Sequence, residues 1–306
     1  MKEICVVAPI YNEAPLISEF VKQVSEVLIS INDNHQVILV DDGSTDNSWE
    51  VIREEASRNE KIKAIKLSRN FGHHYAITAG IHNSNSKWTV VMDSDLQDRP
   101  VVIKDLYKKA VEGYEVVFVS RSNRPESFWY IAVQKLFYTL LNVTSGLKFN
   151  SKQANFSIIN SKVVEAFKGF NEFSRFYGST IRWLGFESAN IIADHGVRFK
   201  GKPTYTLRKR FKLAFDIILA FSDRPLKFAI LLSLATSFIV FLLSFFYGAG
   251  VLLSQSNKNL LGVLPFILMI LVMIFFVLFT VFGIYLLSIF REVKKRPLYI
   301  ISEEIN

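Results

Sequence analysis

The period of the hydrophobic positions changes twice along this chain. Short apolar runs at 4–9, 37–40, 62–67, 88–92 and 116–119 alternate with stretches where apolar residues recur at helical spacing. The first such stretch carries Leu16, Phe20, Val24, Val27, Leu28 and Ile31. The second follows Asp46, a capping residue, and carries Trp49, Val51 and Ile52. A third covers 72–81, and a fourth starts at Pro100, which suits a first helical turn, and runs to about Glu112. Strands and helices in this rhythm predict βαβ units: an α/β, Rossmann-like domain with a mainly parallel sheet. Such a sheet binds ligands at the carboxyl ends of its strands.

The second change comes near residue 225. Residues 228–253 and 260–290, runs of 26 and 31, contain no Asp, Glu, Lys, Arg or His. A bilayer core needs about 20 apolar helical residues, so two transmembrane helices are predicted. Arg208, Lys209, Arg210, Lys212, Arg224 and Lys227 precede the first span, and Arg291, Lys294, Lys295 and Arg296 follow the second. The connector 254–259 holds only Lys258. Positive charge marks the cytoplasmic side. The expected layout is a cytoplasmic catalytic-sized domain over 1–225, two spans over 226–291 and a cytoplasmic tail over 292–306. The apolar stretch 4–10 is too short for a signal peptide and runs into Asn12 and Glu13. Two further segments, about 127–142 and 206–221, are rich in aromatic and aliphatic residues beside Lys and Arg. They read as helices lying in the membrane interface, or as core helices of a second layer.

Composition narrows the classes. A chain of 306 residues that is 50% hydrophobic is not disordered. Its single cysteine, Cys5, excludes an intramolecular disulfide and reads as a buried small residue. The net charge of +8 fits anionic lipid, because ten basic residues flank the spans. No zinc, helix-turn-helix or RNA-binding signature accompanies it, so nucleic acid is not an expected partner.

The candidate chemistry sits at strand ends. Asp93-Ser94-Asp95 closes the fourth strand, with Leu96-Gln97-Asp98 behind it. Two carboxylates so spaced suit a hard divalent cation that also meets substrate phosphates. Asp41-Asp42-Gly43-Ser44 closes the second and could accept hydrogen bonds from a nucleoside. Either cluster alone is also an ordinary turn. Neither a Walker sequence nor a G-x-G-x-x-G is present, which disfavours P-loop and dehydrogenase chemistry. Arg198, between Gly196 and Gly201, suits gripping an anion or a place on the solvated surface. Arg121, Arg124 and Lys135 would stand between sheet and membrane, near an anionic headgroup. Adjacent residues of a helix face different ways. His73 and His74 therefore read as solvated or packed rather than as a metal pair, with a phosphate contact by one of them as the secondary reading.

Four motifs in order, Pro9-Ile10-Tyr11-Asn12-Glu13, Asp41-Asp42-Gly43-Ser44, Arg69-Asn70-Phe71-Gly72 and Asp93-Ser94-Asp95-Leu96-Gln97-Asp98, resemble those of family 2 glycosyltransferases. With two C-terminal spans they resemble the polyprenyl-phosphate branch, which includes dolichol-phosphate mannose synthases and bacterial enzymes that load a sugar onto undecaprenyl phosphate. The resemblance implies a GT-A fold, a nucleotide-sugar donor (a UDP-sugar), a polyprenyl-phosphate acceptor, Mg²⁺ or Mn²⁺, the inner membrane and a homotetramer. It places Pro9, Tyr11, Glu13, Asp42 and Arg69 on the nucleotide sugar. Asp93 and Asp95 fall on the metal and diphosphate, with Gln97 beside the sugar. Arg198 matches an arginine that closes on the diphosphate, and Arg121, Lys135 and Thr139 match contacts to the acceptor phosphate.

The chain departs from the pattern in places. Many relatives carry Asp-Phe-Arg where Asn155-Phe156-Ser157 stands, and Gly-x-Ser where Gly201-Lys202-Pro203 stands. Arg182-Trp183 resembles the end of the Gln-x-x-Arg-Trp motif of processive polysaccharide synthases, with Ser179 in place of the glutamine. Two alternatives follow: a processive synthase, or a scaffold that binds nucleotide or lipid without turnover.

Overall fold

The computed structural model describes residues 1–121, 153–170, 172, 176–193, 224–253 and 258–306. The segments 127–142 and 206–221 lie outside the described residues, as do Arg124, Lys135, Thr139, Arg198 and Pro203. The chain divides into two compact units. One comprises 1–142, 147–210 and 296–306, and the other 143–146 and 211–295.

In the first unit the alternation read from the sequence is realised. β1 (Lys2–Ile10), β2 (His35–Asp41), β3 (Ile62–Leu67) and β4 (Ser86–Val91) are joined by α1 (Ala14–Ile31), α2 (Ser48–Arg58) and α3 (His73–His82). α4 (Val102–Val111) leads to β5 (Val116–Arg121). β6 (Gln153–Asn160), α5 (Ser161–Lys168), α6 (Tyr177–Trp183) and β7 (Ser188–Ala193) follow. The sheet order is β7-β5-β6-β4-β1-β2-β3-β8, where β8 (Ile301–Ile305) comes from the far end of the chain.

β1 pairs in parallel with β2 and with β4, and β2 in parallel with β3. The fifth strand foreseen from the sequence does not join this block directly. β6 inserts antiparallel between β4 and β5, and β5 then pairs in parallel with β7. Chain order reverses at β1, since β2 lies on one side and β4 on the other. The crevice at the carboxyl ends of β1 and β4 is therefore the topological switch point.

Period-two alternation along the strands supplies two cores. Ile4, Val6 and Ala8 of β1 face Ile17, Phe20, Val24 and Leu28 of α1, together with Ile52 of α2 and Leu106 of α4. Cys5 and Val7 face the other way, with Ala76, Ile77 and Ile81 of α3 and Phe167 of α5. Cys5 is fully buried, and desolvation pushes its thiol up to about 12, so it is an inert packing residue.

The segment read as a tail supplies the edge strand β8, antiparallel to β3. Lys63 pairs with Glu304 at 2.6 Å, and Asn306 Nδ2 donates to the carbonyls of Ala56 and Ile62 at 2.7 and 3.0 Å. Tyr299 Oη lies 3.1 Å from His82 Nδ1. β8 thereby covers a row of backbone groups that β3 would otherwise present as an open edge.

The second unit contains α7 (Arg224–Leu253) and α8 (Lys258–Val293), of 30 and 36 residues. Windows at Leu226–Leu243 and Ile270–Val293 are long and apolar enough to cross a membrane. Phe238, Phe241, Phe275 and Phe279 are each more than 60% exposed. Large apolar side chains presented outward at this density suit a lipid solvent rather than water.

Deleting residues 300–306 should lower the apparent Tm of the solubilised protein by roughly 5–10 °C. The lost ladder bonds and ion pair amount to about 2–3 kcal/mol. A thermal scan of the truncated and full chains checks this.

Candidate functional site

The β2 end turns sharply at Gly43, whose φ of +67° lies in the left-handed region. A methyl there would also overlap the backbone of Arg69 and Asn70. Two loops thus meet with no room between them, which puts the Asp41-Asp42-Gly43-Ser44 and Arg69-Asn70-Phe71-Gly72 motifs in direct contact. Asp42 seals the junction. Its Oδ1 accepts from Phe71 N at 2.8 Å and its Oδ2 from Gly72 N at 2.9 Å. Gly72, with φ of +112°, then opens α3.

Asp41 is fully buried. Its Oδ1 accepts from Ser44 N at 3.1 Å, while Oδ2 is buried without a hydrogen-bond partner among the described residues. Desolvation raises the pKa of both aspartates, opposed at Asp42 by the Phe71 and Gly72 N–H groups.

A second set of bonds joins β1 to β2 and β4. Asn12 takes φ of +56° at the end of β1, and its Oδ1 accepts from Thr45 N at 2.8 Å. Asp46, expected to cap α2, stands one residue before the N-cap, Asn47, and its carboxylate serves the starts of two helices. Its Oδ1 accepts from Ser48 N at 3.0 Å at the start of α2, and its Oδ2 from Ala14 N at 3.3 Å at the start of α1. Ser94 Oγ donates into the switch-point crevice, to the Pro9 carbonyl at 3.0 Å and to Glu13 Oε2. Ser94 is buried, whereas its neighbours Asp93 and Asp95 are half-buried. Asp95 Oδ1 also accepts from Gln97 N at 3.0 Å, which folds the loop back on itself around Leu96 at φ of +57°.

His73 Nε2 stands 3.3 Å from Asp93 Oδ1 and 3.4 Å from Asn155 Nδ2. His74 goes elsewhere. Its Nδ1 accepts from Tyr177 N at 3.4 Å and its ring packs edge-on against Phe176. Desolvation, helped by the adjacent His73, pushes it down to about 3, so it is neutral.

Of the residues singled out in the sequence, Pro9, Glu13, Asp42, Asp93, Asp95 and Gln97 belong to the carboxyl-end loops just described. Tyr11 is exposed on the same loop as Asn12. Arg69 is exposed, with its guanidinium 4.0 Å from the Phe71 ring centroid and bonded to the Asn70 carbonyl at 3.0 Å. Arg121 ends β5, where its backbone pairs with Ala193. Sequence reasoning set His73 aside. The available signal was its place directly after Phe71-Gly72, at the mouth of the same sheet.

The donor set fits a hard divalent cation: two carboxylates, half-exposed, at one strand end. Among the described residues no group of three or more His, Cys, Asp or Glu closes a protein cage. Such a pair suits an ion whose remaining ligands are phosphate and water.

The fold and the motif-bearing loops define a sugar-transferring enzyme, and the chain belongs to glycosyl transferase family 2, which it matches over residues 5–168. It is a glycosyltransferase. It is 33% identical over 299 residues to the uncharacterized glycosyltransferase YkcC of Bacillus subtilis, covering 97% of this chain and 93% of that protein. It is 28% identical over 310 residues to the undecaprenyl-phosphate 4-deoxy-4-formamido-L-arabinose transferase of Edwardsiella ictaluri, covering 99% of this chain and 94% of that one. Among solved structures it is similar to glucosyl-3-phosphoglycerate synthase from Mycobacterium tuberculosis in complex with Mn²⁺, UDP and phosphoglyceric acid. There the TM-score is 0.52 at 19% identity, over 72% of this chain and 77% of that one. That likeness is one of fold and agrees with the GT-A architecture expected from the sequence.

Two outcomes are expected here. Gly43→Ala should destabilise the protein by about 2 kcal/mol or more, from left-handed strain and overlap with Arg69 and Asn70, measurable by denaturant or thermal unfolding. Asp41 titrates above its ordinary range, so it binds its proton more tightly folded than unfolded. Its contribution is complete below the unfolded pKa and is lost as pH rises through the folded one. Lys66 opposes this shift and Asp46 adds to it. Between pH about 4 and 7 the apparent Tm of Asp41→Asn should therefore gain on wild type.

Proposed function

We propose that this glycosyltransferase moves a single sugar from a nucleotide sugar, UDP-linked, to a polyprenyl phosphate, undecaprenyl phosphate, at the cytoplasmic face of the inner membrane. The observation that carries this reading is the pairing, in one chain, of two carboxylates at the β4 end with two helices of membrane-crossing length. The full-length similarity to an undecaprenyl-phosphate transferase supports the acceptor class.

On this reading Pro9, Tyr11, Glu13, Asp42 and Arg69 line the nucleotide-sugar pocket, and Asp93 and Asp95 hold Mg²⁺ or Mn²⁺ with Gln97 beside the sugar. When bound, the cation neutralises the charge of the departing diphosphate. Asp42 acts by fixing the loop that carries Arg69, and Ser94 by locking the β4 loop onto β1. Arg198 is assigned to the diphosphate, and Arg121, Lys135 and Thr139 to the acceptor phosphate.

A lipid phosphate monoester has a second pKa of about 6 and is largely ionised at neutral pH. It attacks the anomeric carbon as the nucleoside diphosphate leaves from the opposite face, and the configuration inverts. No protein base is needed, so Asn155 in place of an aspartate is compatible with turnover. The protein contributes alignment and charge stabilisation.

The chain leaves the first unit, runs through α7 and α8, and returns to the same sheet as β8. That return supports an even number of crossings, with both ends on one side. The ten flanking basic residues support the cytoplasmic side.

Membranes carrying the protein, supplied with Mn²⁺ or Mg²⁺ and a panel of nucleotide sugars, should yield an acid-labile lipid bearing one sugar. Long polymer would identify a processive synthase, and binding without product a scaffold. Asp95→Ala should abolish metal-dependent transfer, while Asn155→Ala retains a substantial fraction. Near-normal turnover in Asp95→Ala would remove the metal assignment.

A further inference from the structure

We propose that His73 is a positioning residue for Asp93, holding one carboxylate oxygen so that the other serves the cation and donor diphosphate. This rests on the metal-dependent reading above and adds to it a residue that the motifs leave without a role.

Three observations support it. The first is the contact itself, with His73 Nε2 3.3 Å from Asp93 Oδ1. A carboxylate offers only acceptors, so a proton on Nε2 makes this an attractive contact at ion-pair distance, short of an aligned hydrogen bond. The second is Asn155, whose Nδ2 lies 3.4 Å from the same nitrogen; an amide nitrogen only donates, so with the proton on Nε2 this neighbour confines the ring sterically and makes no hydrogen bond to it. The imidazole is thus met by β4 on one side and β6 on the other, which restricts its rotation.

The third is how His73 gets there. Its backbone position is set by Gly72 at φ of +112°, and Gly72 N is held by Asp42. A side chain so anchored at its base and flanked at its tip is built to aim a neighbour. His74 draws the contrast. It is equally close to the loop, yet it turns to the α6 backbone and packs edge-on against Phe176. Side chains that orient a metal-binding carboxylate typically alter metal affinity by roughly 10–100-fold when removed.

The test uses the full-length protein in detergent with Mn²⁺ and UDP as probes. Bound Mn²⁺ is read by electron paramagnetic resonance and turnover is measured in parallel. His73→Leu keeps bulk without an N–H and should weaken Mn²⁺ binding about tenfold. His73→Gln keeps an N–H donor and should stay within about threefold of wild type. If the leucine variant does not fold, His73→Ala replaces it. Because His73 acts through Asp93, the double variant His73→Leu/Asp93→Asn should bind Mn²⁺ no worse than Asp93→Asn alone. Equal binding by the leucine and glutamine variants, or losses that multiply in the double variant, would overturn the role of His73. Unchanged Mn²⁺ binding in both Asp93→Asn and Asp95→Ala would instead overturn the metal reading beneath it.

Discussion

The carboxylate of Asp42, closed around the N–H groups of Phe71 and Gly72, is the contact on which the functional end of the sheet depends. A buried carboxylate is costly unless hydrogen-bonded, and backbone N–H donors are its most rigid partners. Here they belong to the loop entering α3, so one side chain ties the end of β2 to the start of a helix that packs over β1. The direction of α3, the exposure of Arg69 and the delivery of His73 to Asp93 all follow from that tie. Gly43 permits it, because only a residue without a side chain leaves space for the second loop.

The β4 loop is held by a different device. Ser94 sits between two aspartates and points away from the open side, bonding across the switch point to Pro9 and Glu13. The alternation of side chains at a strand end does the rest. With the middle residue turned inward, the two flanking carboxylates remain half-exposed on the open side.

The departures from the family pattern become intelligible in their surroundings. Ser157 is buried, and its hydroxyl lies 2.8 Å from that of Tyr177, which desolvation pushes up. This small hydroxyl pair fills a slot inside the second core, where an arginine would bring a buried charge. Arg182 lies 4.6 Å from the Phe118 ring centroid and donates to the Gly178 carbonyl at 2.8 Å, so it is engaged within its own layer. Trp183 remains half-exposed against Phe170.

Local chemistry made much of this legible in advance. Strand and helix positions over the first 120 residues follow from hydrophobic period, the two long apolar helices from the absence of charge, and the acidic strand ends from residue type. All are short-range properties. What no local pattern contains is which strand neighbours which. β6 enters antiparallel between β4 and β5, and residues 301–305 return to β3 from more than 230 positions away. The same limit hid His73. Its identity and helical position were plain, but its proximity to Asp93 and Asn155 joins three separate segments, and only packing of α3 across the sheet brings them together.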